Sequence, residues 1–181
     1  LFLVDLFCHG VPSPRLFGSY INWLEKRHKG KIEDYVFRDK EYGWGTRGHY
    51  TINGKRFTLF GAWDPYYRSF LDGKIYRPCC YQCKYASPKR PGDVSIGDFW
   101  GIENCHPEVD TSLGVSAVLV NTEKGEAMLA AAGKEAKVFE TDFSKIAASN
   151  PQLIAPTIKP TVRDEIYKHY STLRFNKFVK K

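Results

Sequence analysis

The sequence predicts a mixed α/β chain of α+β character: a central mixed sheet with flanking helices, plus a β-hairpin. Three observations point there. The runs at 1–7 (LFLVDLF) and 115–120 (VSAVLV) are apolar enough for strands inside a parallel or mixed sheet. Each leads into a helix-start signal, Ser13-Pro14 after the first and Thr122-Glu123 after the second. Between them, Asn53-Gly54 joins two strand-like segments, the pattern of a type I′ turn with positive φ at both central positions.

Taken in order, the run at 1–7 is expected to be a strand covered on both faces. Cys8 and His9 then lie at its C-terminal end, the edge where ligands collect in open α/β sheets. Ser13 can cap a helix with Pro14 at its first position, and Leu16, Tyr20, Trp23 and Leu24 recur at helical spacing to about Arg27. Residues 31–39 read as a strand, 42–48 as a Gly/aromatic loop, and 49–52 with 56–60 as the hairpin. Asp64-Pro65 starts a short helix bearing Tyr66, Tyr67, Phe70 and Leu71, which Asp72-Gly73 ends. After the strand at 115–120, Thr122 can cap a helix through about Ala132, with Glu123 favourably placed in its first turn. A short strand at 137–140, a helix over 142–148, a Pro-punctuated segment at 150–160 and a helix capped by Thr161 and reaching about Lys177 complete the chain.

At 181 residues the chain suits a single domain over 1–181, with 150–181 as a C-terminal linker and helix. Hydrophobic residues make up 43% and aromatics 15%, enough rings to fill a core or to wall off a flat cofactor. The net charge of +7 suits an acidic partner, but the excess is scattered apart from clusters at 26–31 and 177–181, where solvated helix ends account for it. A nucleic-acid role would rest on the Lys/Arg/Tyr mix at 84–90; acidic residues interleave with it and no binding-module signature accompanies it. The run at 1–7 is too short for a membrane span or signal-peptide core and lacks a basic lead, so a cytoplasmic location without a membrane span is expected. The chain does not open with Met and starts inside a strand-like run, so a fragment truncated at its N-terminus is expected.

Five cysteines, an odd number without the spacing of a secreted disulfide scaffold, point to reduced thiols serving a metal or redox centre. Three of them lie in Arg77-Pro78-Cys79-Cys80-Tyr81-Gln82-Cys83, where Cys80 and Cys83 form a C-x-x-C pair. A short apolar strand follows and ends in Gly97-Asp98-Phe99-Trp100-Gly101. Four cysteinyl ligands serve a [4Fe–4S] cluster or a structural zinc, and no second C-x-x-C is present. On the residues alone, an incomplete cluster site, a zinc site borrowing His9 or His106, a thioredoxin-type dithiol and a single nucleophilic cysteine all stay open. The junction at 121–125 is a second strand-to-helix start, a ready place for a phosphate.

The segments VDLFCHGVPSP, FRDKEYGW, DPYYRSFL, RPCCYQCKYA, DVSIGDFWGIE and GVSAVLVNTEKG, in that order, resemble the C-terminal half of the coenzyme F420-reducing hydrogenase/formate dehydrogenase beta-subunit family, in its bacterial branch. The resemblance implies an iron–sulfur flavoprotein oxidoreductase that passes electrons between a [4Fe–4S] cluster, a flavin such as FAD, and a deazaflavin-like or other acceptor. It implies Cys8, Cys80 and Cys83 as cluster ligands, with a fourth from a motif upstream of Leu1. It places Gly97, Asp98, Trp100, Gly101, Asn121, Thr122 and Gly125 near the flavin or its phosphates. A ferredoxin or a hydrogenase/dehydrogenase subunit would be the redox partner. Archaeal members that use deazaflavin carry a glycine-rich variant where this chain has Asp98-Phe99-Trp100-Gly101, and commonly Arg where Asn121 stands. The resemblance therefore does not carry coenzyme F420 itself over to this chain. A zinc-stabilised binding or nucleic-acid-interacting module without redox activity is the contrasting expectation.

Overall fold

Local signals set most of the element boundaries. Ser13 Oγ accepts the Arg15 N–H and Pro14 opens helix α1 (Pro14–His28), closed by Lys29 in the left-handed region with φ 54°. Asn53 (φ 52°) and Gly54 (φ 68°) form the turn between β3 (Arg47–Ile52) and β4 (Lys55–Phe60). Two residues of positive φ match the right-handed twist of the flanking strands, as the Asn-Gly pair predicts. Asp64 Oδ1 accepts the Tyr67 N–H and caps α2 (Pro65–Leu71), while Thr122 Oγ1 accepts the Gly125 N–H and caps α3 (Glu123–Ala132). The remaining elements are strands β1 (Val4–Leu6), β2 (Ile32–Val36), β5 (Val94–Asp98) and β6 (Ser116–Val120), and helices α4 (Phe143–Ala148) and α5 (Val162–His169). The computed structural model describes residues 1–133 and 135–170.

The strands form a mixed sheet, in the order β1-β5-β6, and an antiparallel sheet, in the order β2-β3-β4. They belong to two compact units: Leu1–His9 with Gln82–Thr157, and Gly10–Tyr81 with Ile158–Lys181. In the first, β5 runs parallel to β1 and antiparallel to β6, with Leu6 beside Ile96 and Ile96 beside Val118. Phe7, Val94, Phe99, Ile102, Ala117, Ile146 and Leu153 are its buried apolar residues. In the second, Leu16, Tyr20 and Leu24 of α1 pack in one cluster with Tyr50, Ile52 and Leu59 of the hairpin, Tyr66 of α2 and Ile166 of α5. Tyr20 and Tyr66 stack at 5.0 Å, and Tyr50 and Phe57 at 5.2 Å. Offset ring pairs of this kind add about 0.5–1.5 kcal/mol to the burial term.

Three expectations are corrected. The run at 1–7 is not a strand covered on both faces: only Val4–Leu6 is strand, and Leu1, Phe2, Leu3, Val4 and Leu6 are exposed. β1 is an edge strand with one neighbour, so its apolar composition does not report burial. No strand forms over 137–140; Phe139 instead turns its ring to His106 at 5.0 Å. Thr161 makes no side-chain cap, because its backbone is already helical (φ −58°, ψ −37°) and its side chain cannot turn back onto the first free N–H groups. The expected extension of the last helix to Lys177 and the basic cluster at 177–181 lie outside the described residues.

Candidate functional site

The parallel pairing of β1 and β5 brings the C-terminal ends of both strands to one side of the sheet, with the Phe7 N–H donating to Ile96 O at 2.9 Å. Cys8 follows Phe7 there and is exposed. Beside it, β5 ends in Gly97 and Asp98. A Cβ at Gly97 would stand 2.3 Å from the Phe7 ring, so the glycine lets the ring lie flat on the strand. Phe99 is buried, and Asn150 Nδ2 donates to Asp98 O at 3.1 Å, which holds the strand end in place. Gly101 turns the chain with φ 79°, and a side chain there would also meet Ser149 Oγ at 2.8 Å. Asp98, Trp100 and Gly101 are half-buried. Four of the expected cofactor residues therefore line this strand end.

Asn121, Thr122 and Gly125 sit at the other end of β5, about 16 Å away at 3.3 Å per residue. Their polar groups are directed to the protein. Asn121 Nδ2 donates to Gly92 O and Ser95 Oγ, each at 3.0 Å. Thr122 Oγ1 donates to Asp93 Oδ1 at 2.7 Å. That hydroxyl and the Leu3 N–H hold the Asp93 carboxyl below the usual carboxylate range. A Cβ at Gly125 would stand 2.2 Å from Asp93 O, so α3 seats directly on the start of β5. The structure thus separates the two groups of expected cofactor residues rather than bringing them together.

None of the five cysteines is in a disulfide. Cys80 lies in a 3₁₀ turn (Pro78–Gln82), its N–H donating to Arg77 O at 3.0 Å and its Sγ 3.9 Å from Val11 O. Cys83 follows the turn, and its carbonyl accepts the Ala86 N–H at 3.1 Å. Cys8 and Cys83 belong to the first unit and Cys80 to the second. Cys79 is exposed, and Cys105 Sγ donates to Ile102 O at 3.4 Å. The thiolate donors suit an iron–sulfur centre in their chemistry. Among the described residues, however, no three His, Cys, Asp or Glu side chains are grouped as for one metal ion.

Sequence reasoning missed three residues of the first unit. Arg90, with a side chain only 4% exposed, forms an ion pair with Asp5. Its Nε donates to Asp5 Oδ1 at 3.1 Å and Ser95 Oγ at 3.2 Å, its Nη2 to Asp5 Oδ1 and Leu6 O, and its Nη1 to Tyr85 O at 2.6 Å. Asp5 Oδ2 accepts the Gly92 N–H and the Ser95 hydroxyl, each at 2.9 Å. The signal was the single charge in LFLVDLF: an Asp inside a strand needs a partner. Arg90 is consequently not available to a phosphate backbone, and Lys84 lies over the Tyr85 ring at 5.0 Å.

Comparison with known families matches residues 1–145 to the model for the C terminus of the beta subunit of coenzyme F420 hydrogenase/dehydrogenase. Neither the comparison with curated proteins nor that with solved structures finds a match. No helix among the described residues is long and apolar enough to cross a membrane.

Proposed function

We propose, because the chain belongs to the coenzyme F420 hydrogenase/dehydrogenase beta-subunit family through its C-terminal region, that it is part of a cytoplasmic iron–sulfur flavoprotein oxidoreductase. One observation carries the reading: the matched span of residues 1–145 takes in Cys8, Cys80 and Cys83 and the Gly97–Gly101 strand end. Cys8, Cys80 and Cys83 would hold a [4Fe–4S] cluster as thiolates, with a fourth ligand from outside this sequence. When bound, the cluster and a flavin such as FAD would supply the electron-transfer chemistry, which side chains alone do not perform. The chain's own share is to hold the thiols and to shape the strand end: Gly97 seats Phe7, Gly101 makes the positive-φ turn, and Asp98 and Trp100 are the half-buried side chains between them. Asn121, Thr122 and Gly125 support the same strand from its far end. The redox partner would be a ferredoxin or a hydrogenase/dehydrogenase subunit, and the acceptor a deazaflavin or another carrier. The expected single-domain organisation is part of the same reading, with the two compact units working as one functional domain.

The test is anaerobic reconstitution of the full-length protein with iron and sulfide, read by visible absorption, iron and sulfide content, and released flavin. Iron and sulfide at cluster stoichiometry with bound flavin are expected. Stoichiometric zinc without iron or flavin would overturn the redox reading in favour of a zinc-stabilised module. Cys80→Ser and Cys83→Ser should abolish the cluster absorption, and Cys79→Ser should leave it intact.

A further inference from the structure

We infer that Arg90, held by Asp5, is a positioning residue that fixes the spacing between the two cysteine-bearing segments of its unit, a role that rests on reading Cys8 and Cys83 as ligands. The guanidinium donates to Leu6 O at 3.0 Å, two residues before Cys8, and to Tyr85 O at 2.6 Å, two residues after Cys83. Residues nearly eighty positions apart in the chain are thereby pinned to one planar group. The plane itself cannot swing. Asp5 accepts from Nε and Nη2, and Ser95 Oγ accepts from Nε at 3.2 Å. Asp5 is fixed in turn by the Gly92 N–H and the Ser95 hydroxyl, and Asn121 Nδ2 donates to Ser95 Oγ and Gly92 O.

Simple sheet stability does not call for this arrangement. Burying a guanidinium and a carboxylate carries a desolvation cost that well-packed apolar residues would avoid. What the ion pair adds is a rigid fork of donors whose directions are set by the side chain's planarity. A lysine in its place would carry the charge but not the geometry, because a single ammonium cannot reach the carboxylate and both carbonyls at these separations. The arrangement also gives Asn121 a part to play from the far end of β5, as a support of Ser95.

Two measurements on the full-length protein test the inference. In the first, every cysteine other than Cys8 and Cys83 is replaced by Ser, and the apo protein is treated with dibromobimane, which fluoresces fully once it joins two thiols. With Arg90 present the pair should crosslink readily; with Arg90→Lys the crosslinking should slow about tenfold, as expected when reacting groups lose their alignment. Asp5→Asn, which frees the guanidinium to turn, should slow it as well, and serves if the lysine variant does not fold. Absence of crosslinking with Arg90 present, or an equal rate in both variants, would overturn the inference whatever the cluster does. In the second, wild-type and Arg90→Lys proteins are reconstituted anaerobically and compared by electron paramagnetic resonance and reduction potential. A changed signal and a shifted potential at equal iron content are expected; identical spectra and potentials in two iron-loaded proteins would refute the positioning role. Failure of the wild-type protein to take up iron, alongside Arg90-dependent crosslinking, would strike the cluster reading and leave the positioning role standing.

Discussion

The two compact units differ in what lies at their centres. Gly10–Tyr81 with Ile158–Lys181 is built on rings: Tyr20, Tyr50 and Tyr66 are buried among Leu16, Leu24, Ile52 and Leu59, and Phe17 packs against the same cluster. Leu1–His9 with Gln82–Thr157 has a three-stranded sheet, close glycine contacts at Gly97 and Gly125, and a hydrogen-bonded ion pair. Apolar packing is non-directional and tolerates volume-conserving exchange. Polar networks are satisfied in one geometry only. The unit with the buried Arg90–Asp5–Ser95 network is also the one that carries Cys8, Cys83 and the Gly97–Gly101 strand end. A site that needs fixed distances is better served by that kind of construction, and a scaffold that needs only stability by the other.

Adding one methyl group to the first unit should have the largest effect. Gly125→Ala places Cβ 2.2 Å from a backbone carbonyl that cannot rotate away. The cost should be about 3 kcal/mol, the upper range for overpacking. Segment-resolved hydrogen exchange should show lost protection in β5 and β6, with β3 and β4 unchanged.

Next in size is Asp64→Ala in the second unit. Asp64 caps α2 through the Tyr67 N–H at 2.8 Å and accepts the Tyr20 hydroxyl at 2.6 Å. Losing a cap costs about 1 kcal/mol and losing the hydrogen bond from the Tyr20 hydroxyl about 1 kcal/mol more, so chemical denaturation should register a loss of roughly 2 kcal/mol. Asp64→Asn, which keeps an acceptor oxygen, should lose much less.

The response to pH should have opposite sign in the two units. Burial raises the Asp64 carboxyl above its ordinary range. Folding then favours its protonated form, so its contribution is fully present below the ordinary carboxylate pKa and lost as pH rises through the elevated one. Hydrogen bonds from the Thr122 hydroxyl and the Leu3 N–H lower the pKa of Asp93. Its contribution is present above the ordinary carboxylate pKa and lost as pH falls through the depressed one. Acid titration followed by hydrogen exchange should weaken the β5–α3 junction while the α2 region holds. Thr122→Val should reduce that acid sensitivity, and Asp64→Asn should flatten the response of α2.

The smallest effect belongs to the hairpin. Asn53→Ala keeps every packed side chain but forces alanine to φ 52°, which should cost about 1 kcal/mol by thermal melting.

Elements governed by neighbouring residues were legible in the sequence. Ser13-Pro14, Asp64-Pro65, Thr122 and Asn53-Gly54 each act within four residues, and each places a helix start or turn where the structure has it. Thr161 carries the same residue type and fails, because its own backbone is already helical. Contacts that span the chain were not legible. Arg90 meets Asp5 across 85 positions, and no local pattern marks such a pair. Asn121 and Thr122 look like a phosphate cradle when read with their helix alone; the presence of Asp93, Gly92 and Ser95 alongside them turns the same groups inward. The apolar run at 1–7 misled for a related reason: composition reports what a strand could bury, whereas sheet order decides what it does bury.

The division of the chain has a kinetic consequence. Among the described residues strand β1 pairs with β5 alone, so its partner emerges about ninety residues after it. Most of the second unit, Gly10–Tyr81, is synthesised in between, including the Asn-Gly hairpin and both capped helices that pack with it. Low contact order favours early folding of that stretch, whereas β1–β5 pairing must close a long loop. We therefore predict that refolding protects β3 and β4 first and β1 last, although β1 precedes both in the chain. Pulse-labelling hydrogen exchange during refolding would show it, and simultaneous protection of all strands would contradict it. The thiol-bearing end of β1 would then be among the last parts of the molecule to be set, after the remainder of its sheet has become available to receive it.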